Sequence, residues 1–356
     1  MSKPFRLIDT GIRDGRQNIA LGQALVDLHK DGQIGDTLRF LRFPPTALIG
    51  RHQDLGKELK LEFCAANNIR TVRRITGGGA LYFDEGQLGW ELLFDRKTLG
   101  VEDLGGLAKA ICEAAAHGLS KLGVDARYRA PNDIEIGGRK VSGTGGFFDG
   151  TTLFYQGTVL IDMDPATMVQ ALNLPAPPPV PEGETPPPPR IITLKEALGE
   201  TPEIDAVKAA LVDGFSEKLG LSFTDEDLSP AEEERATQYH DEEIGTDAFV
   251  AEINDPESDA SVHSGTLQTA GGKISAHVRL EGPGDGRIRE VLIAGDFFAA
   301  PARVVLDYEA ALRGTSTALV ETTTAAFFNQ AEVSFMTVKP ADFADAVMLA
   351  IGEHSP

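Results

Sequence analysis

Two stretches of the sequence bring together residue types that handle anions. The first runs Arg73-Arg74-Ile75-Thr76-Gly77-Gly78-Gly79-Ala80-Leu81-Tyr82-Phe83-Asp84, two arginines and three consecutive glycines behind a β-rich run. With no Cβ at three successive positions, the backbone can approach a ligand closely and turn amide hydrogens toward an anion. Guanidinium groups pair with phosphate or carboxylate through a planar fork, so the arginines add fixed charge beside those amides. Taken alone, glycine triplets also mark turns, and paired arginines also mark solvated faces. The stretch is neither a G-x-G-x-x-G fingerprint nor a P-loop. Asp84 would be repelled by a bound anion unless it faces elsewhere or meets a metal.

The second stretch is Pro131-Asn132-Asp133-Ile134-Glu135-Ile136-Gly137-Gly138-Arg139-Lys140-Val141-Ser142-Gly143-Thr144-Gly145. Gly137-Gly138 between two β-rich runs signals a hairpin, which folds the strand after Asn132-Asp133 against Lys140. A lysine beyond a hairpin is otherwise a solvated tip. Here the oxygen ligands of Asn132 and Asp133 suit Mg²⁺, so a metal site and an ammonium would flank one anion. Such an arrangement moves phosphates by electrostatics, without covalent help from the protein.

The surrounding chain must position these groups. Its 356 residues exceed the roughly 250 to 300 that one core usually organises, so two domains are expected. No window reaches the roughly 18 to 20 uninterrupted apolar residues of a membrane helix. Asp9, Arg13, Asp14 and Arg16 interrupt the N-terminus, which therefore lacks the apolar core of a secretory signal, and a cytoplasmic, soluble protein is expected. Cys64 and Cys112 lie in helix-like runs and read as buried free thiols. A net charge of −21 argues against non-specific nucleic-acid binding. Residues 39 to 74 run against that balance, with Arg39, Arg42, Arg51, Lys57, Lys60, Arg70, Arg73 and Arg74 facing only Asp54, Glu58 and Glu62. That basic strip could hold an anion or dock an acidic partner.

Apolar spacing predicts helices over 18–30, 101–122 and 202–219, the last with Pro202 in its first turn. Strands are expected at 46–50, 71–75, 80–84, 88–94, 133–138, 139–143 and 152–162, continuing one sheet. Residues 175–189 hold nine prolines in fifteen positions and read as a loop. From Asp225 to Asp259 there are fourteen acidic residues against Arg235 alone, which predicts a solvated connector and a domain boundary. Beyond it, two strands in a hairpin and a helix predict a small α+β unit.

Together, RRITGGGALYFD and NDIEIGGRKVSGTG resemble the lipoate-protein ligase family of the biotin/lipoate protein ligase superfamily. LIDTGIRDGRQNIALGQAL is similar to the family's opening strand and helix, TALIGRHQD to its IGRxQN segment, and TLFYQGTVLIDMD and RIITLKEAL to later segments. The resemblance spans roughly residues 5 to 200. It implies an α+β fold: a large mixed-sheet catalytic domain over 1–224, an acidic connector over 225–259 and a small accessory domain over 260–356.

The implied activity is a two-step ligation. Lipoate attacks the α-phosphate of ATP, with Mg²⁺, to give lipoyl-AMP and pyrophosphate. A lysine of a lipoyl-carrier domain, from a glycine-cleavage H-protein or a 2-oxoacid dehydrogenase E2, then attacks the mixed anhydride. Carried over by motif, Arg74, Gly79, Ala80, Leu81 and Tyr82 would hold the nucleotide, while Thr144, Gly145 and Arg190 would contact the adenylate. Asn132 and Asp133 would sit at the metal and phosphates. Arg73, Gly77 and Gly78 would line the acyl channel, and Lys140 would bridge carboxylate and α-phosphate. Three departures stand out. Phe83 replaces the family's histidine, Gly22-Gln23 its acidic pair, and the proline-rich 175–189 its Lys/Ser-rich adenylate loop, here expected to close as a stiff lid. A transferase of the same fold would need a cysteine nucleophile near the lysine loop, where residues 125 to 160 have none.

Overall fold

The computed structural model describes residues 3–101, 103–174, 189–254, 261–336 and 338–352. Its first element is β1 (Lys3–Ile12), followed by the helix Gly15–Lys30, which begins where the Asp14 carboxylate caps the Arg16 amide. Strands β2 (Thr37–Arg42), β3 (Thr46–Ile49), β4 (Arg70–Arg73), β5 (Leu81–Phe83) and β6 (Gln87–Asp95) come next. After the helix Leu104–Ser120 the chain forms β7 (Ala126–Arg129), β8 (Asp133–Ile136), β9 (Arg139–Asp149) and β10 (Thr152–Leu160). The helix Ile204–Leu219 and β11 (Leu221–Asp225) complete the large layer.

Eight strands form one mixed sheet in the order β11-β1-β2-β6-β10-β9-β8-β7. β1 runs parallel to both its neighbours, and the rest are antiparallel. Contrary to the single-sheet expectation, β3, β4 and β5 form a separate three-stranded sheet in the order β4-β3-β5. Residues of both sheets, among them Leu48 and Phe83 of the small one and Glu91 and Gln156 of the large one, line the cavity where the site develops.

Apolar side chains of Leu104–Ser120 and Ile204–Leu219 pack on one face of the large sheet around Trp90, Tyr155 and Phe215. The helix Gly15–Lys30 covers the other face, with Leu21 and Leu25 against Leu93 and Phe154. Cys64 and Cys112 are both buried and free, as expected. Among the described residues, no helix is long and apolar enough to cross a membrane.

The acidic segment after Asp225 is not a solvated connector throughout. Residues Pro230–Tyr239 form a helix packed on Gly15–Lys30, opened by a capping box in which Ser229 and Glu232 exchange backbone-to-side-chain bonds. Glu232 is buried and also accepts from Arg6 Nη2 at 2.8 Å, while Arg13 pairs with Glu233 at 2.6 Å. Partnered carboxylates lose the mutual repulsion that acidic composition implies. The motif Ser229-Pro230-Ala231-Glu232 was the signal for this helix.

The C-terminal unit is a three-stranded antiparallel sheet, β12 (His263–Thr269), β13 (Gly272–Glu281) and β14 (Arg287–Gly295), packed against helices Val304–Leu312, Val320–Gln330 and Pro340–Gly352. The expected hairpin is β13–β14; β12 and the last two helices are additional. Of the proline-rich stretch 175–189 that was expected to act as a lid, residues 175–188 lie outside those described, as do residues 255–259 of the acidic stretch.

Candidate active site

Arg73 and Arg74 are neighbours at the end of β4, so their side chains leave the chain on opposite sides. Arg73 is fully buried and donates to the carbonyls of Gly50, Arg51, Gln53, Phe249 and Val250, the shortest contact being 2.6 Å to Gln53. It ties three segments together and does not line the cavity, where the sequence reading had placed it on the acyl channel.

Arg74 turns toward the glycine bend, donating to Gly77 O at 2.8 Å and Gly79 O at 2.7 Å, while its Nη1 has no partner among the described residues. Burial lowers both guanidiniums to about 10, which leaves them charged at neutral pH. Arg39 is buried as well, so three of the strip's eight cations are interior, while Lys57, Lys60 and Arg70 are exposed.

The glycine bend needs its missing side chains. Gly78 has φ +90°, and a Cβ there would stand 2.7 Å from Phe298 Cζ. A Cβ at Gly77 would meet Phe297 O at 2.0 Å. The space goes to the C-terminal unit: Gly78 N–H donates to Phe297 O at 3.1 Å, and Gly295 N–H donates to His52 O at 2.9 Å. The His52 and Phe297 rings stack with centroids 4.8 Å apart. At least one amide expected to face an anion is thus held by a carbonyl of the protein.

Across the cavity, Gly137 and Gly138 both adopt positive φ, 59° and 78°, and close β8 onto β9 as the sequence implied. An irregularity between Ile134 and Glu135 sets Asp133 opposite Gly143 and Glu135 opposite Lys140. Lys140 Nζ folds back over Gly143, where a Cβ would lie 2.6 Å away, and reaches Asp133 Oδ1 at 2.7 Å. Segment 190–192 runs beside Lys140: the lysine N–H donates to Arg190 O at 3.0 Å, and Ile192 N–H donates to Lys140 O at 2.9 Å.

Asn132 Nδ2 donates to Thr144 O, and Thr144 Oγ1 donates to Asn132 O at 2.8 Å. Behind Thr144, Cys112 Sγ lies 3.3 Å from its Oγ1, and Tyr155 OH lies 2.6 Å from the same oxygen. Burial raises the Cys112 thiol, disfavouring the thiolate.

Both motifs open onto one cavity of about 480 Å³. From the first motif, Arg74, Gly77, Gly78, Gly79 and Leu81 line it. From the second, Asn132, Asp133, Lys140, Thr144 and Gly145 line it, together with Arg190. Ala80 and Tyr82 are not on its wall; Tyr82 packs beneath the small sheet with Ala47 and Leu59. The far end is apolar, with Ile19, Leu41, Phe43 and Leu48. Phe83 joins it 4.6 Å from the Phe43 ring, so the departure from histidine adds to an apolar surface. Asp84 faces elsewhere, accepting the Gly86 and Asp164 amides.

Among wall residues missed in the sequence, Glu91 and Gln156 come from the large sheet, and Gly272, Asp296 and Phe298 come from the C-terminal unit. A Cβ at Gly22 would lie 3.6 Å from Glu91 Oε1, so a strand carboxylate occupies the neighbourhood of the helix position where the acidic pair was expected. Nothing local announced this, because β6 and the first helix meet only through packing.

No group of three His, Cys, Asp or Glu that could hold a metal forms among the described residues. Mg²⁺ needs no such group when it arrives on phosphates, being held by one or two carboxylates with the rest of its shell from substrate and water. The Asp133 carboxylate on the cavity wall, next to Asn132 in the chain, fits that lesser role.

The sequence model of the lipoyl protein ligase A/B catalytic domain matches residues 14–216. An octanoyltransferase, LipM of Symbiobacterium thermophilum, is 28% identical over 273 residues, 69% of this chain and 98% of the relative. Lipoate-protein ligase A subunit 1 of Thermoplasma acidophilum is 27% identical over 246 residues, 66% of this chain and 91% of the relative. In fold, LipL1 of P. falciparum, solved in complex with lipoate, covers 99% of this chain and 100% of its own at a TM-score of 0.74 and 16% identity. This chain belongs to the lipoyl protein ligase A/B catalytic-domain family.

Proposed function

We propose that the chain is an ATP-dependent lipoate-protein ligase, which activates lipoate as lipoyl-AMP and passes the acyl group to a lysine of a lipoyl-carrier domain. The observation that carries this reading is the Lys140 ammonium lining the same cavity as the glycine bend and Arg74. Negative charge develops between the attacking lipoate carboxylate and the α-phosphate. An ammonium already positioned there stabilises that state more than the separated reactants.

Lys140 would exchange its Asp133 partner for the α-phosphate and lipoate oxygens, freeing the Asp133 carboxylate for the Mg²⁺ that ATP brings. The metal screens phosphate charge when bound. Arg74 Nη1 and Arg190 supply further cation to the phosphates, and the apolar end takes the acyl chain. In the second step the same ammonium would stabilise AMP as it leaves. Pyrophosphate release that requires both ATP and lipoate, followed by mass-shifted carrier domain, is the expected result. Acyl transfer from a carrier with no ATP requirement would overturn the reading.

That second outcome has one observation behind it, the Cys112 sulfur directly behind the Thr144 wall, alongside the likeness to an octanoyltransferase. The sulfur is fully buried, raised toward the neutral thiol and absent from the cavity lining. Cys112→Ser preserves a hydrogen-bonding partner for Thr144. ATP-dependent ligation should then stay within about threefold of wild type, whereas a thioester route would be lost.

Phe298 shares the slot between the bend and Gly145, where a Cβ would stand 2.5 Å from its Cε1. An adenylate lying there must displace the ring or lie alongside it. Phe298→Ala is therefore expected to lower the KM for ATP severalfold. A raised KM would make the ring part of the nucleotide wall.

A further inference from the structure

The cavity wall crosses the large sheet from Leu41 on β2, through Glu91 on β6, Gln156 on β10 and Gly145 on β9, to Asp133 on β8 and Arg129 on β7, the edge strand. Apolar side chains gather at its β2 end, and charged ones at its β7 end. Arg129 pairs directly with Asp133 across β7 and β8, and Asp133 with Gly143 across β8 and β9, so the three stand on one face of the sheet. Tyr128 and Ile134, each one residue away, turn to the other face and join the core around Trp90.

The Arg129 guanidinium is only loosely committed. Its side chain is 45% exposed, and its ion pair among the described residues runs from Nη1 to Glu135 at 3.8 Å, beyond hydrogen-bond reach. Lys140, by contrast, is held by Asp133 at 2.7 Å. Arg127, the other arginine of β7, pairs with Asp125 at 2.8 Å and is not on the cavity wall. Two strand spacings, about 10 Å, separate β7 from β9, the strand that carries Lys140.

We propose that Arg129 takes the β- and γ-phosphates of ATP, the pyrophosphate that leaves on activation, and so acts in acyl-adenylate formation but not in acyl transfer to the carrier. This rests on the acyl-activating reading above. In-line displacement sets the attacking carboxylate oxygen and the departing phosphate oxygen on opposite sides of the α-phosphorus. A bond forms from the carboxylate oxygen to phosphorus, the bond from phosphorus to the bridging oxygen breaks, and its electron pair leaves with pyrophosphate. With the acyl chain at the β2 end, that charge emerges toward β7, where a guanidinium fork can pair with it. The edge position also opens the way for the product to depart into solvent.

Calorimetric titration of the full chain with inorganic pyrophosphate and with a sulfamoyl analogue of lipoyl-AMP, both in the presence of Mg²⁺, tests this. Arg129→Gln should weaken pyrophosphate binding about tenfold, the worth of one hydrogen-bonded contact between charged groups, and leave the acyl-adenylate analogue within about twofold of wild type. In turnover the same variant should raise the KM for ATP. Glu135 lies off the cavity wall, so Glu135→Gln removes the carboxylate that competes for the guanidinium without touching the ligand. It should tighten pyrophosphate binding severalfold, and that gain should vanish in the double variant, because it acts through Arg129.

Equal loss of both ligands in Arg129→Gln would mark a general effect on the site and overturn the proposal. Pyrophosphate affinity that does not move would overturn it too, and a raised KM for the carrier alone would then give the guanidinium to an acidic partner. Should the arginine variant fail to fold, the Glu135→Gln result decides by itself: no tightening, no leaving-group contact. If ATP and lipoate still yield pyrophosphate in the wild type, this assignment alone falls. If they yield none, the acyl-activating reading falls with it.

Discussion

Lys140→Ala should lower lipoate-dependent pyrophosphate release by roughly 1,000-fold, the scale set by removing one preorganised charge-stabilising donor from an active site. The argument begins with the side chain's position. A half-buried ammonium is held over Gly143 by Asp133, in the cavity that the glycine bend also lines. No second lysine lines that cavity among the described residues.

The fold should survive, because partly exposed ion pairs contribute little to stability, about 0 to 1 kcal/mol. The check is therefore two-sided: circular dichroism and melting close to wild type, with adenylation nearly gone. Lys140→Arg should not rescue, since a planar guanidinium cannot follow the tight path over Gly143 to the same point. A variant that still lipoylates its carrier at near wild-type rate would remove the lysine from the mechanism.

Arg73→Met should act through stability instead. The methionine keeps much of the apolar stem but removes every donor that now meets the carbonyls of Gly50, Arg51, Gln53, Phe249 and Val250. Breaking a buried network that leaves several acceptors unmatched costs about 3 to 5 kcal/mol. For a chain of this size the loss should lower Tm by about 10 °C. Denaturant midpoints and thermal scans read this directly. The contrasting outcome, an unchanged Tm with a raised KM for lipoate, would return Arg73 to the acyl channel and show that this buried geometry is not the working one.

The two arginines show where reading a sequence reaches its limit. Identical residues at adjacent positions carry the same motif information, yet Arg73 staples backbone and Arg74 borders the cavity. Strand alternation guarantees that they diverge. Which side becomes cavity depends on β3–β5 standing off as their own sheet and on the 249–250 segment arriving behind them, and both are long-range events. Glu91 tells the same story from the other direction. Its carboxylate stands near a position on the first helix from which Gly22 withdrew, and only packing brings β6 and that helix together.

What the amino-acid order determined by itself was local. The Gly137-Gly138 turn sets the register that brings Asp133 and Lys140 within reach of each other, and the glycine run permits a bend that no other residue could make. The β-rich runs place β6, β8 and β10 within two residues of their observed limits, whereas β9 continues to Asp149, six residues beyond the expected end. These features depend on neighbours a few residues apart, so short stretches are enough to specify them. The tertiary structure decided how the two motifs face across one cavity, that Phe297 and Phe298 of the C-terminal unit enter it, and that an acidic stretch becomes a packed helix once Arg6 and Arg13 neutralise it. Burial, not sequence proximity, governs those outcomes, because the free energy of a charge or an amide depends on what surrounds it after the chain has closed.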